Sequence, residues 1–375
     1  MRGPAEGTRG ADSAGIGAQA KTLLIKTEET MIRRQGKRAG IMLALGLALW
    51  AGMSGAQDKK IVLRYGDHLP VNHFLVEPMV RHWLNAVTKN TDGTVQFEYY
   101  PGEQLGKAKD LLALTLSGVA DVSLIAASYT SDKLPLTAVA ELPGGPDKAC
   151  DATSAFRRIA TGEGILAIKE YAPLGYRAIS VVVLPPQQIF SRHELKSVKS
   201  FEGMKLTTAG GAKEIMLRKL NAVPIRMGAP EIYESLSRGT IDGGILATAS
   251  VLSYNLPGPA KYVTLGENFG STVVIIGIGE TRWKQLPPSV QKVMMDAGEA
   301  TGRNMCGVLD RDTGADYEKL AQRGAAAVRF SAADHREIAA KAANVQAEWA
   351  EALDKRGKPG TEILKAFNNA LTAGH

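Results

Sequence analysis

Apolar and polar positions between residues 201 and 246 alternate as short strands and amphipathic helices. The glycine turn Ala209-Gly210-Gly211 separates the first strand from the first helix, and Pro230 stands where a first helical turn tolerates it. In chain order the pattern predicts a strand at Met204–Thr207, a helix at Lys213–Leu220, a strand at Val223–Met227, a helix at Glu231–Leu236 and a strand at Ile241–Leu246. This order predicts a parallel sheet, whose ligands bind at the carboxyl ends of its strands. We expect the site around Thr207, Thr208, Ala229 and Leu246.

The first half of the chain repeats this order of elements. Its strands are predicted at Ile61–Tyr65, Val95–Tyr99 and Ala120–Ile125, with helices at Glu77–Val87 and Lys107–Leu116. In both halves a helix-ending glycine stands three residues before an aspartate, as Gly118 before Asp121 and Gly239 before Asp242. The match predicts two similar α/β lobes. It also favours a structural role for the two aspartates over a pair of acid–base groups.

The remaining segments predict further strands and a helical C-terminal third. Val181–Leu184 should begin a strand inside the second lobe, and Pro185–Ser200 should be irregular. Ser271–Ile278 is a continuous β-branched run, which is typical of a buried strand. Helices are predicted from Pro287 to Val308 and over Asp310–Arg323, Ala332–Asp354 and Gly360–Thr372.

Charge and composition describe an ordinary globular protein with an N-terminal leader. The 375 residues are 45% hydrophobic and 22% charged, with a formal net charge of +7. Eight Lys/Arg and four Asp/Glu lie in residues 1–56, which leaves +3 for the rest of the chain. That excess is too small to indicate nucleic acid as a partner.

A secretion signal is predicted at residues 31–56. Basic residues follow Met31, Ala39–Met53 is apolar, and small residues precede a cleavage point after Ala56. A transmembrane anchor is the alternative, but the apolar run is shorter than the roughly 20 residues that span a bilayer. Translation is expected to begin at Met31, which makes residues 1–30 a non-translated or disordered leader. These features predict a periplasmic protein.

Export leaves two states open for the only cysteines, Cys150 and Cys306. They could form one disulfide in an oxidising compartment, or remain two buried thiols. The six histidines form no metal-ligand pattern, so neither a metal nor a cofactor is expected. Nucleophile-elbow, zinc-protease, Walker and dinucleotide-binding motifs are missing from the sequence. An exported, two-lobed chain of this kind is expected to bind a ligand and not to be an enzyme.

Several segments resemble one family of receptors. They are Tyr99-Tyr-Pro-Gly-Glu-Gln-Leu-Gly106, Leu116-Ser-Gly-Val-Ala-Asp121, Phe201-Glu-Gly-Met-Lys-Leu206, Pro230-Glu-Ile-Tyr-Glu-Ser-Leu236, Gly239-Thr-Ile-Asp-Gly243 and Trp283-Lys-Gln-Leu-Pro287. In order and spacing they are similar to the solute-binding receptors of tripartite ATP-independent periplasmic (TRAP) transporters, of the dicarboxylate type. The similarity covers nearly everything after Ala56.

The resemblance implies a periplasmic-binding-protein-like α/β fold with a ligand cleft between two lobes and a long bridging helix. Lobe I would comprise residues 57–174 and 272–312, and lobe II residues 175–271 and 313–375. Such a receptor closes over a small organic solute and delivers it to membrane permease subunits. An exported enzyme on a related scaffold, or a receptor for a signalling partner, are the alternatives.

The chain departs from the family pattern at three ligand-facing positions. Receptors of this type carry an arginine where this chain has Thr207, and that arginine grips the solute carboxylate. A usual asparagine falls at Leu246 and a pocket aromatic at Ala229. We expect a less polar pocket for a carboxylate with an apolar body, unless these are core substitutions without effect on the ligand.

Other candidate ligand residues lie on loops or on a strand. Arg177 matches a second arginine that touches solute in some family members, and a salt bridge is its alternative role. His68, Ser128 and Tyr129, together with Asp67, follow strands of the first lobe and could reach the cleft or be exposed loop residues.

Overall fold

The computed structural model of the protein describes residues 60–373. The predicted signal peptide and the leader before it lie outside these described residues. Across residues 60–373, none of the helices combines the length and the apolar character needed to span a membrane.

Eleven strands are found in the described residues. They are β1 Ile61–Gly66, β2 Val95–Tyr100, β3 Val122–Ala126, β4 Tyr176–Val183, β5 Gln188–Ser191, β6 Lys205–Thr208, β7 Val223–Arg226, β8 Gly243–Leu246, β9 Tyr262–Thr264, β10 Val273–Gly279 and β11 Ala326–Val328. They form two sheets, with strand orders β2-β1-β3-β10-β4 and β11-β9-β5-β8-β6-β7. The protein therefore has the predicted two-lobed α/β architecture.

Helices cover these sheets. They are α1 (π-helical at Val76–Arg81, then α-helical at His82–Asn90), α2 Leu111–Leu116, α3 Ala149–Ala160, α4 (π-helical at Ala167–Tyr171, then α-helical at Ala172–Leu174), α5 Ala212–Lys219, α6 Ala229–Ser237, α7 Thr248–Ser253, α8 Glu280–Trp283, α9 Pro288–Gln322, α10 Ala332–Asp354 and α11 Gly360–Thr372. Short 3₁₀ turns at Ala108–Asp110, Ala127–Thr130, Thr137–Glu141 and Val198–Phe201 complete the connections.

The two lobes share a parallel core built the same way. In the first lobe β1 pairs in parallel with β2 and β3, and in the second β6 pairs in parallel with β7 and β8. Parallel strands joined by helices bring their carboxyl ends to one edge. In this protein those ends are the loop after β1, the turn after β6 and the end of β8.

The paired glycine–aspartate motifs occupy equivalent positions in the two lobes. Asp121 Oδ2 accepts a hydrogen bond from the backbone N–H of Arg64, and Asp121 donates its own N–H to the Arg64 carbonyl. Asp242 exchanges the same two bonds with Lys205. Gly118 and Gly239 precede them at φ 77° and 72°, values that glycine adopts without strain. Each aspartate thus ties a helix end to the start of the neighbouring strand, which is the structural role expected for them.

Two antiparallel segments connect the lobes. Leu184 donates its N–H to the Thr272 carbonyl at 3.0 Å, and Gln187 donates to the Gly270 carbonyl at 2.8 Å. These bonds lie between β4 and β5 on one segment and before β10 on the other. They place the crossing between the lobes next to β4 and β10 of the first sheet and β5 of the second.

The structure corrects several predicted boundaries. β4 pairs with β10 in the first sheet, so the first lobe extends to the crossing after Val183 and does not end at residue 174. The segment 185–200, predicted as irregular, contains β5, which lies between β8 and β9. Its four residues are all buried, so their composition shows no alternation.

The helical C-terminal region also differs from the prediction. One helix of 35 residues, α9, replaces the two predicted on either side of Val308, because nothing between them terminates a helix. The last helix, α11, packs against α3 and the 3₁₀ turn Thr137–Glu141, so residues 313–375 do not belong to the second lobe alone.

A disulfide joins Cys150 at the start of α3 to Cys306 in α9. The two Cα atoms are 4.8 Å apart, within the usual range for a bridge. Of the two states that the sequence left open, the structure contains the bridged one. The bridge fixes the long helix to the first lobe.

Candidate functional site

A small cavity lies between the lobes at the carboxyl edge of both sheets. Six of the predicted ligand residues line it, namely His68, Tyr129, Thr207, Thr208, Ala229 and Leu246. The cavity volume is about 50 Å³, several times the roughly 10–15 Å³ that one water molecule requires. The structure therefore brings together residues from five segments that are far apart in the sequence.

Thr207 presents an unused hydroxyl to this cavity. It is the penultimate residue of β6 and is 1% exposed, yet Oγ1 has no hydrogen-bond partner. Its methyl group lies over Gly244, where a Cβ would approach Cγ2 to 2.3 Å, so only glycine fits on the facing strand. The methyl side is occupied by β8, and Oγ1 is not engaged by any other described protein group. A buried polar group without a partner is uncommon and calls for such an explanation.

Lys213 is the cation that lines the cavity. It is 2% exposed, and Nζ donates to Ser128 Oγ at 3.0 Å, to the Ser271 carbonyl at 2.6 Å and to Thr272 Oγ1 at 2.9 Å. Burial lowers the pKa of Lys213, and the nearby Glu141 carboxylate acts to raise it. The three acceptors and this carboxylate compensate a buried ammonium group.

Ser128 lies behind the cavity wall and links this cation to an acid. It is 1% exposed and donates to Glu141 Oε2 at 2.7 Å, and Glu141 Oε1 accepts from the Val273 N–H at 2.9 Å. Ser128 is therefore placed as a partner of Lys213 and does not line the cavity itself.

The Thr272 hydroxyl accepts a hydrogen bond from Lys213 and keeps its own proton to donate. Its Oγ1 accepts from Lys213 and, at 2.9 Å, from Gln187 Nε2, so both lone pairs of the oxygen are used. The hydroxyl proton is then directed to another acceptor. Gln187 also lines the cavity, is 3% exposed and leaves Oε1 without a partner.

Tyr129 closes the cavity by joining the lobes. Its hydroxyl accepts a hydrogen bond from the Ala229 N–H at 3.0 Å, at the first residue of α6. A second contact across the lobes runs from the Phe74 N–H to Ser253 Oγ at 3.3 Å. Tyr129 also borders a wider outer cleft of about 650 Å³, lined by charged residues such as Lys107 and Arg226. The structure is a closed form with a polar entrance.

Arg177 lies away from this cavity. It forms a two-pronged ion pair with Glu280 at 2.9 and 3.0 Å, and its guanidinium lies 5.1 Å from the centre of the Trp283 ring. These partners are on α8, and Arg177 borders a separate depression together with Lys284. This position corresponds to the salt-bridge alternative and does not bring Arg177 to the predicted ligand.

Asp67 shapes the loop that carries His68. Burial raises the pKa of Asp67 to about 6, although its oxygens accept bonds from the Tyr99 hydroxyl at 2.8 Å and the Leu69 N–H at 2.9 Å. Both partners belong to the first lobe, so Asp67 positions the loop and does not line the cavity.

The sequence prediction missed six polar cavity residues. They are His73, Gln187, Lys213, Ser250, Tyr254 and Thr272. Lys213 was not predicted as a ligand residue, because its spacing from the glycine turn does not form a phosphate-binding motif. It follows the strand end by one helical turn, and that position on a helix N-terminus facing the cleft was the available signal.

The fold and the closed cavity define a two-lobed solute-binding receptor. The chain belongs to the DctP family, described as bacterial extracellular solute-binding protein, family 7, which matches residues 66–352. Receptors of this family serve membrane transporters of the TRAP type.

Individual relatives agree with this assignment. A solute-binding protein of Roseobacter denitrificans is 26% identical over 263 residues, covering 69% of this chain and 79% of the relative. A TRAP solute-binding protein from a marine metagenome, described as specific for aromatic acid ligands and bound to metahydroxyphenylacetate, has a TM-score of 0.77 at 21% identity, over 84% of this chain and 99% of its own. One from Rhodoferax ferrireducens with copurified benzoate has a TM-score of 0.76 at 22% identity, over 84% and 98%.

Proposed function

We propose that this receptor captures a monocarboxylate with an apolar body, closes over it, and releases it unaltered to the permease subunits of a TRAP transporter in the periplasm. The observation that supports this most is that a buried ammonium group, Lys213, and the unpartnered hydroxyl of Thr207 belong to the lining of one cavity.

The carboxylate would be bound by hydroxyl donors with a cation behind them. All three protons of Lys213 Nζ already have protein acceptors, so the lysine acts through its field and through Thr272. The Thr207 and Thr272 hydroxyls are the donors that we assign to the carboxylate. A hydrogen bond to a charged group contributes about 1.5–3 kcal/mol, so this arrangement replaces the missing arginine.

The single cationic side chain among the described cavity-lining residues favours a ligand with one carboxylate over a dicarboxylate. Among the described residues that line the cavity, Lys213 is the cationic side chain, and the other cavity-lining polar groups are neutral hydroxyls, an amide, phenols and histidines. A second carboxylate would lose its hydration without an opposite charge, which costs several kcal/mol or more.

The rest of the cavity wall suits an apolar body. Leu69, Leu124, Leu246, Ile245 and Val274 contribute side chains to it. Benzoate and metahydroxyphenylacetate, the ligands of two structural relatives, have this combination of one carboxylate and an apolar ring. They support the class of ligand proposed for this chain.

Binding without chemistry is favoured over an enzymatic role. The cavity polar groups are engaged with one another or are neutral, and none is paired as a nucleophile and base. Turnover of a bound compound would favour the enzyme alternative. A gene neighbourhood without permease genes would favour a signalling receptor.

A thermal-shift and calorimetric screen tests the proposal. We expect stabilisation by compact monocarboxylates, and at least about tenfold weaker binding of these ligands by Thr207→Val, which keeps shape but removes the donor. Thr207→Val should fold normally, because its hydroxyl has no protein partner. Arg177→Ala is the matched control and should bind as the wild type does. A clear preference for succinate or malate would overturn the proposal.

A further inference from the structure

Two histidines line a second polar part of the cavity. His68 and His73 both come from the loop after β1 and are each 5% exposed. The His68 ring lies 5.4 Å from Tyr129, and the His73 ring lies 5.3 Å from Tyr254. They form a group separate from the hydrogen-bonded set around Lys213.

Both rings are neutral at neutral pH. Burial lowers the pKa of His68 to about 4 and that of His73 to about 3, and the proximity of His68 lowers the pKa of His73 further. A neutral imidazole carries one N–H donor and one bare acceptor nitrogen. Which nitrogen is which follows from the contact that each ring makes with the backbone.

His73 presents a donor to the cavity. Its Nδ1 accepts a hydrogen bond from the Leu75 N–H at 3.3 Å, so the proton of the neutral ring is on Nε2. His73 lines the cavity, which places an N–H donor in its wall.

His68 presents an acceptor. The Leu124 backbone acts to raise the pKa of His68, which is the direction expected when a carbonyl lies near a protonated ring nitrogen. The other ring nitrogen is then bare. Within residues 60–373, none of the hydrogen bonds satisfies His68 Nδ1, which is buried without a partner. A hydrogen-bond donor of the ligand would satisfy this nitrogen.

We propose that His68 and His73 form a hydroxyl-binding subsite, and that the solute is a hydroxylated monocarboxylate. A hydroxyl group donates one hydrogen bond and accepts others, so it matches a bare nitrogen beside an N–H donor. A carboxylate has no proton to give, and His68 therefore disfavours a second carboxylate at this position. This inference rests on the proposed function, since it assigns the other end of the same ligand.

The discrimination should be large. A site built to bond a ligand hydroxyl leaves its buried polar groups unpaired when the hydroxyl is missing, and such sites reject the deoxy analogue strongly. Bound water could satisfy the same nitrogens, in which case hydroxylated and deoxy ligands would bind alike.

Calorimetry with matched ligand pairs tests the subsite. The probes are 3-hydroxybenzoate with benzoate, mandelate with phenylacetate, and 3-hydroxybutyrate with butyrate. We expect the hydroxylated member of at least one pair to bind about 10- to 100-fold more tightly than its deoxy partner. In His68→Leu this preference should fall below about threefold, with binding of the deoxy partner retained. Arg177→Ala, outside the cavity, should keep the full preference.

The outcomes separate the two proposals. If monocarboxylates bind but every pair shows equal affinity, the hydroxyl subsite is wrong and the monocarboxylate receptor stands. An unchanged preference in His68→Leu also overturns the subsite, and its melting temperature shows whether that variant is folded. If no monocarboxylate binds the wild-type protein, the proposed function fails, and the subsite with it.

Discussion

At the scale of single residues, the cavity has threonine hydroxyls where a ligand-binding arginine was expected. Thr207 stands where the resemblance to TRAP receptors predicts an arginine, and the cation of the cavity lining, Lys213, donates a hydrogen bond to Thr272. A guanidinium fork is always charged and holds a carboxylate in a fixed plane. Hydroxyl donors allow a ligand to be recognised by shape and by its second polar group as well.

Because the pKa values of His68 and His73 are lowered in the closed form, we expect ligand affinity to depend on pH. Their pKa values in the closed form, about 4 and about 3, lie below the ordinary value of 6.5. With exposed imidazoles, the open form therefore takes up protons below pH 6.5 that the closed form does not. Closure is fully favoured above pH 6.5, and it becomes less favourable as the pH falls. Two groups give a loss of up to about 100-fold per pH unit below that point.

Titration calorimetry from pH 7.5 to 5 measures this dependence. Tyr129, Tyr254, Glu103 and Asp67 are the other titratable groups near the two rings. Burial raises the pKa of Asp67, and any part of that burial that arises on closure would act in the opposite direction to the histidines. His68→Leu should show about half the slope. A flat profile in the wild-type protein would contradict the assignment of neutral rings.

At the scale of elements, local pattern predicted most strands and helices but not their partners. α10 and α11 begin and end at the predicted residues, because their helical periodicity is bounded by turn residues. β5 was missed because four buried residues show no alternation. β4 was placed in the wrong lobe because pairing with β10 joins positions about 100 residues apart, as in Ile275 with Val181.

The site was predictable only in part for the same reason. Strand ends in a parallel sheet converge, so Thr207, Ala229 and Leu246 could be grouped from the sequence. The bonds of Lys213 to Ser128 and Thr272 depend on how the lobes face each other, which no local pattern encodes.

The disulfide between two helices is expected to raise the free energy of unfolding. Cys150 and Cys306 close a loop with a sequence separation of 156, between α3 and α9. Constraint of a long loop in the unfolded chain should contribute about 2–5 kcal/mol to the free energy of unfolding. Urea unfolding with and without reductant measures this, and alkylation without reductant should find no free thiol. Equal midpoints would show that the bridge does not stabilise the fold.

At the scale of the whole molecule, closure of the lobes assembles the binding site. Lys213 and Thr207 come from the second lobe, whereas Ser128, Tyr129 and both histidines come from the first. Separation of the lobes would break the Tyr129–Ala229 and Lys213–Ser128 bonds and open the cavity to water. Capture and release then need no chemistry, since a hinge motion changes the affinity.

Lys213 and Glu141 form the buried charge pair of the closed site, and its electric field acts on an anionic ligand. Loss of Lys213 alone would leave the Glu141 carboxylate, which is 1% exposed, without its cation and could unfold the protein. The double variant Lys213→Met/Glu141→Gln removes both charges together and keeps similar volumes, so it should fold.

Calorimetric titration of the tightest monocarboxylate into the wild-type protein and into Lys213→Met/Glu141→Gln is the most direct measurement of anion capture between the lobes. We expect one binding site in the wild type and an affinity at least about tenfold lower in the double variant at an unchanged melting temperature. Equal affinity in the two proteins, or no binding of any monocarboxylate to the wild type, would contradict the capture of a carboxylate between the lobes.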